Sequence, residues 1–195
     1  MRNIIAATAL IGLLAHGSAA AVTIDFEDVA PPSGSVPLNI SPPYTEDGFI
    51  LTPQVSGALA VIDAAASPDM PGNSSSDYLL IPDDTTVTLT LGTAPGVFDL
   101  TSFLFGPLGG STGLTLTGTL ASGGAPLVLN FPNISTATTL SPNWTGLTAV
   151  TFDASFDSGI DDIVASATVV PLPAGLPLAL AGFGMMVMLR RGRTG

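Results

Sequence analysis

The chain has 195 residues, enough for one domain with additional segments, and no cysteine, which excludes a disulfide framework and thiolate metal sites. Its 4 basic residues, Arg2, Arg190, Arg191 and Arg193, all lie at the two ends, while its 15 acidic residues all lie between them. The interior therefore stands at −15, with 15 acidic residues and no Lys or Arg; it repels nucleic acid and offers no internal ion-pair partner to any carboxylate.

Residues 1–21 read "MRNIIAATALIGLLAHGSAAA". Arg2 supplies a positive start, Ile4 to Ala15 an apolar run, and Ser18 to Ala21 the small residues that signal peptidase accepts. The pattern predicts a secretory signal peptide cleaved after Ala20 or Ala21. The single histidine, His16, leaves with it.

From Val22 the pattern changes to period two. "VTIDFE" sets Val22, Ile24 and Phe26 on one face and Thr23, Asp25 and Glu27 on the other. Residues 30–43 read as a Pro-rich loop that carries on to Tyr44. "GFILTPQV" and "ALAVIDA" follow as strands, then a polar loop over 65–77, then "DYLLIP". In "TTVTLTLG", Val87, Leu89 and Leu91 alternate with Thr86, Thr88 and Thr90. "FDLTSFLFG", "GLTLTGTLA", "PLVLNF", "LTAVTFDA" and "GIDDIVASATV" complete the series. Short alternating runs separated by Gly, Pro and Asn predict an all-β domain over 22–169, an antiparallel β-sandwich. No stretch of this interior has helical periodicity.

The densest acidic feature is "DSGIDDI", with Asp157, Asp161 and Asp162. Calcium takes six to eight oxygen ligands, which a Gly-containing acidic loop beside a strand can supply. Asp161 and Asp162 are adjacent, so they share an ion only where the backbone bends. The alternative is turn chemistry, each Asp capping its own loop, and "PDDTT" with Asp83 and Asp84 reads as a plain turn. For carbohydrate, the candidate aromatic platforms are Tyr44, Tyr78 and Trp144; a lone Trp is also ordinary packing. Once the ends are removed the interior has no His, Lys, Arg or Cys, so the pairs that activate a nucleophile are missing and the expectation is no enzyme.

The chain closes on "VPLPAGLPLALAGFGMMVMLRRGRTG". Ala174 to Leu189 is uncharged and apolar, about 24 Å long as a helix against the ~30 Å hydrocarbon core. Val170, Pro171, Leu172, Pro173 and Ala174 precede it, and Arg190, Arg191 and Arg193 follow, placed to hold a C-terminus in the cytoplasm. This order of motif, apolar helix and Arg cluster resembles the VPLPA variant of the PEP-CTERM sorting signal. The resemblance covers residues 170–195, with a transmembrane helix over 174–189. It implies a Gram-negative bacterium, export across the inner membrane, and an exosortase-type protease that processes a membrane-anchored intermediate. It further implies a cell-surface or extracellular protein associated with exopolysaccharide and biofilm.

The strands "IDFED", "FDLTSFLFG" and "LTAVTFDASFDSGIDDIV" resemble jelly-roll domains of such secreted proteins and, more distantly, calcium-stabilised carbohydrate-binding jelly rolls. That likeness implies a structural calcium where Asp25 or Glu27 meets Asp161, with Asp157 or Asp162 nearby. The functional expectation is a non-enzymatic surface or matrix protein. Its alternative is a carbohydrate-binding module for exopolysaccharide.

Overall fold

The computed structural model describes residues 20–29, 37–54, 59–63, 77–83, 85–92 and 96–168. The predicted signal peptide up to residue 19 lies outside the described residues, as do the 170–174 motif, the 174–189 helix and the Arg cluster. Ala19–Thr168 forms a compact unit of its own. Ala20 precedes its first strand and Ala21 opens it, so cleavage after Ala20 leaves that strand whole.

No helix occurs among the described residues, which form β1 (Ala21–Ile24), β2 (Leu38–Asn39), β3 (Tyr44–Glu46), β4 (Phe49–Pro53), β5 (Ala60–Ile62), β6 (Tyr78–Ile81), β7 (Thr86–Leu91), β8 (Val97–Pro107), β9 (Thr112–Leu120), β10 (Leu127–Ile134), β11 (Thr138–Leu140), β12 (Trp144–Ala154) and β13 (Ser158–Thr168). All pairings are antiparallel. One layer runs β2-β5-β6-β13-β8, with β1 beside β6 on the same edge of β13 and β11 on β8. The other runs β3-β4-β7-β12-β9-β10. The start of β12 pairs with β8 and so joins the layers into one curled sheet.

Alternation explains why the layers close on each other. Phe49 and Leu51 of β4, Val87 and Leu89 of β7, and Val150 and Phe152 of β12 are buried, and each lies in register with an inward neighbour. Phe98 and Phe103 of β8 meet them edge-on, Phe98 against Phe49 at 5.4 Å and Phe103 against Phe152 at 5.2 Å. Such side chains each contribute about 1.5–3 kcal/mol when fully buried.

Two places break the alternation. Ladder pairing between β13 and β8 skips Thr101, so the buried residues pass from Phe98 and Leu100 to Phe103 and Phe105. It also skips Asp162, whose φ of 47° takes the left-handed turn of a bulge.

Three short strands fall outside the sequence expectation. β2 lies within the predicted 30–43 loop, and β11 has too few residues to show a period. β3 contains Tyr44, expected in a loop. It pairs with β4 through Asp47 and Gly48, at φ 48° and 82°, the two positive values that a tight two-residue hairpin needs.

Candidate functional site

The end of the sandwich where β6, β8 and β12 finish and β13 begins is fixed by pairing. Ser158, the first residue of β13, lies opposite both Ile81 of β6 and Pro107 of β8. Ala154, the last residue of β12, lies opposite Leu114 of β9. The loops at 82–83, 108–111 and 155–157 are therefore brought together. The Leu108 N–H donates to the Asp157 carbonyl at 3.0 Å, the Ser155 N–H to the Gly113 carbonyl at 3.0 Å, and the Asp83 N–H to Asp157 Oδ1 at 2.9 Å. Beneath them the buried Ser158 hydroxyl donates to the Phe156 carbonyl at 2.6 Å and lies 3.2 Å from Thr112 Oγ1.

Between these loops is an open cleft of about 360 Å³ lined by Asp83, Leu108, Gly109, Gly110, Ser111, Phe156 and Asp157. Phe156 is 60% exposed, one of two large apolar side chains so exposed among the described residues. Gly109 and Gly110 hold φ of 133° and 74°, and a Cβ there would meet nothing within 4 Å, so the loop's backbone is open to a ligand. The cleft thus offers an aromatic face, two carboxylates that accept hydrogen bonds, and exposed backbone, with no positive charge.

Of the acidic residues expected to bind metal, only Asp157 lines this cleft. The others lie on the two segments that pair where β1 ends. Pairing of Ile24 with Ile163 brings that end beside the Asp162 bulge, the meeting of first and last strands that the jelly-roll resemblance implies. The bend between Asp161 and Asp162 is also present, but the Asp162 N–H folds back onto Asp161 Oδ1 at 2.7 Å, and Asp161 is fully buried. Asp157 is four residues from Asp161 along an extended strand, roughly 13 Å. Asp25 Oδ1 accepts from the Glu27 N–H at 3.2 Å, and Glu27 Oε1 accepts from the Asp77 N–H at 2.9 Å. Among the described residues no three acidic side chains are grouped to hold a metal ion.

Sequence reasoning missed Glu46, the carboxylate that organises this corner. Its oxygens accept from the Asp25 N–H at 3.2 Å, the Phe26 N–H at 3.3 Å and the Tyr44 hydroxyl at 2.6 Å. Phe26 is wholly buried with a φ of 60°, which is why β1 stops at Ile24 and why its N–H needs an acceptor outside the sheet. Burial raises the Glu46 carboxyl above the usual range, and burial with the Glu46 hydrogen bond raises the Tyr44 hydroxyl. Asp77 is pushed up to about 6 by burial, then by the charges of Glu27 and Asp63.

The three expected aromatic platforms do not form one. Tyr78 is completely buried and has no face to offer. Tyr44 is half-buried, its ring 5.4 Å from Phe26 and its hydroxyl held by Glu46. Trp144 is half-buried with its ring on Gly118, where a Cβ would lie 2.8 Å from the indole, so one ring face is packing. Among the described residues the exposed aromatic is Phe156, whose signal in the sequence was its place in "ASFDSG", an apolar ring inside the turn between two strands.

No family model matches the chain, and no curated protein matches it in sequence. Among solved structures it is similar to a carbohydrate-binding module, TmCBM61, in complex with β-1,4-galactotriose. That match has 11% identity and a TM-score of 0.38, and covers 61% of this chain and 88% of the other. It is similar to a family 29 carbohydrate-binding module complexed with mannohexaose at 14% identity and a TM-score of 0.33, covering 77% and 93%. A third similar structure is the enzymatically active domain of tailspike protein 4 from bacteriophage CBA120. There the identity is 14% and the TM-score 0.35, with 62% of this chain and 19% of that one covered.

Proposed function

We propose that this chain is an exported, non-catalytic carbohydrate-binding domain that takes a neutral glycan in the Phe156 cleft. The observation that carries the reading is the 60% exposed Phe156 ring beside Asp83 and Asp157 in a loop-lined hollow. A sugar presents apolar C–H faces that stack on such a ring and hydroxyls that donate to carboxylates. With 15 acidic residues and no basic ones in the interior, a neutral glycan is favoured over an acidic one. The signal peptide carries the domain across the inner membrane, and the 170–195 tail, as a VPLPA-type signal, is the handle for an exosortase-type protease. The domain then acts on exopolysaccharide at the cell surface, as a matrix component.

Titration of the Ala19–Thr168 unit with neutral oligosaccharides tests this. β-1,4-Galactotriose and mannohexaose are the first to try. Phe156→Ala should weaken binding about tenfold, equivalent to ~1.4 kcal/mol, because an aromatic stack contributes roughly 0.5–1.5 kcal/mol beyond its area. Its melting temperature should not move, since the ring is exposed. Unchanged affinity in Phe156→Ala, or no binding of any neutral glycan, overturns the reading.

A further inference from the structure

The outward face of the second layer is unlike the rest of this acidic domain. Register places Thr52 of β4, Thr88 of β7, Thr151 of β12 and Thr117 of β9 side by side in one cross-strand row. In the next row Thr86 and Thr115 flank Asp153, the only charged side chain the ladders place on this face among the described residues. Along β7, Thr86, Thr88 and Thr90 all point outward. A groove of about 440 Å³ runs over β7 between Thr52 and Gln54 on one side and Thr151 on the other. Thr88 and Thr151 hydroxyls lie 3.2 Å apart, and Thr86 donates to Gln54 Oε1 at 3.0 Å.

These hydroxyls form a regular array, spaced about 4.8 Å across strands and about 6.7 Å along them. Threonine is stiff at χ1, so the array is ordered before any ligand arrives and little rotamer freedom is lost on binding. Each residue presents a methyl group beside a hydroxyl that both donates and accepts, which suits an uncharged polyol. The groove is neutral while the interior of the chain stands at −15, so a polyanion is repelled. Sheets twist, so a flat lattice can match this array over only a few strands, whereas one polymer chain can follow a groove along β7. Thr86 of the groove lies three residues after Asp83 of the cleft, so the Thr86 end of the groove is the one nearer the cleft along the chain.

We infer that the threonine groove over β7 is an extended subsite for a single neutral, linear polysaccharide chain whose end lies in the Phe156 cleft. This rests on the carbohydrate-binding reading and gives it a substrate class: long unbranched neutral glycans rather than short or acidic ones.

The test is a titration of the Ala19–Thr168 unit, which contains the whole described core, with neutral β-1,4-linked oligomannosides from disaccharide to hexasaccharide. For the unmodified domain, affinity should rise about tenfold between trimer and hexamer. Thr88→Glu, which puts a charge in the groove, should abolish that gain and leave trimer binding unchanged. The paired Thr88→Val and Thr151→Val variant, which keeps side-chain shape and removes two hydroxyls, should do the same. Phe156→Ala should weaken every length equally. A length dependence that survives both groove variants overturns the groove and leaves the cleft standing. Loss of binding in Thr88→Glu with no effect of Phe156→Ala overturns the cleft and keeps the groove. No binding at any length overturns both. A dimer in sedimentation that Thr88→Glu dissociates overturns the groove in favour of a second copy of the chain.

Discussion

Removal of the Glu46 carboxylate should release the corner where β1 ends. In the folded chain this group accepts two backbone N–H bonds, from Asp25 at 3.2 Å and Phe26 at 3.3 Å, and the Tyr44 hydroxyl at 2.6 Å. The two N–H bonds are long, so each falls near the low end of the range for a charged acceptor, about 1.5 kcal/mol, and the short hydroxyl bond contributes about as much. Burial of the carboxylate, visible in its raised pKa, offsets part of this. Phe26 must also hold a left-handed backbone that costs a non-glycine residue about 1–2 kcal/mol, and among the described residues Glu46 is the acceptor of its N–H. Glu46→Ala should therefore lose about 2–3 kcal/mol, and at roughly 2–4 °C per kcal/mol for a domain of this size the melting temperature should fall about 5–10 °C. Tyr44→Phe should lose about 1.5 kcal/mol, the hydroxyl bond alone. Because the hydroxyl's partner is Glu46, the double variant should be no worse than Glu46→Ala alone. Thermal and urea melts of the four proteins measure the cycle. A Glu46→Ala shift below about 1 °C, or strictly additive losses, would refute the claim that Glu46 anchors this corner.

Acidification should stabilise the domain. Asp77 rises from 3.8 to about 6 in the folded state, so folding takes up a proton between those values; the stabilisation is complete below the lower one and lost as pH rises through the upper. Melting temperature should increase from pH 7 to pH 5, and Asp77→Asn should raise it at pH 7 and flatten the profile. Gly118→Ala would place a Cβ 2.8 Å from the Trp144 ring and 3.0 Å from Leu147 Cδ2, an overpacking that should cost about 1–3 kcal/mol and be relieved by adding Trp144→Ala; a neutral Gly118→Ala melt would place the ring elsewhere. Calcium and magnesium at equal ionic strength should move the melting temperature alike, by screening, because Asp25, Glu27, Asp157 and Asp161 already hold backbone N–H groups; a calcium-specific shift lost in Asp161→Ala would show otherwise.

The alternation in "TTVTLTLG" set Val87 and Leu89 inward and the threonines outward, and the structure keeps that assignment. Alternation could not show that Thr52, Thr88, Thr151 and Thr117 stand in one row, because the row depends on cross-strand register. The short strands β2, β3 and β11 escaped for a related reason: two or three residues do not display a period, and long-range pairing makes them extended.

The charge distribution and the all-β class were legible because each depends on composition or on spacing along a few neighbouring residues. The sites were not. Glu46 reaches Phe26 across 20 residues, and Asp83 reaches Asp157 across 74. Which carboxylates meet a backbone N–H, and that Phe156 stays exposed while Tyr78 is buried, follow from where the ends of β6, β8, β12 and β13 are brought together. Sequence by itself determined which face a longer alternating strand such as β7 turns inward. Only the tertiary structure decided which loops share an end of the sandwich, because that depends on pairings between distant segments, which leave no local pattern to read.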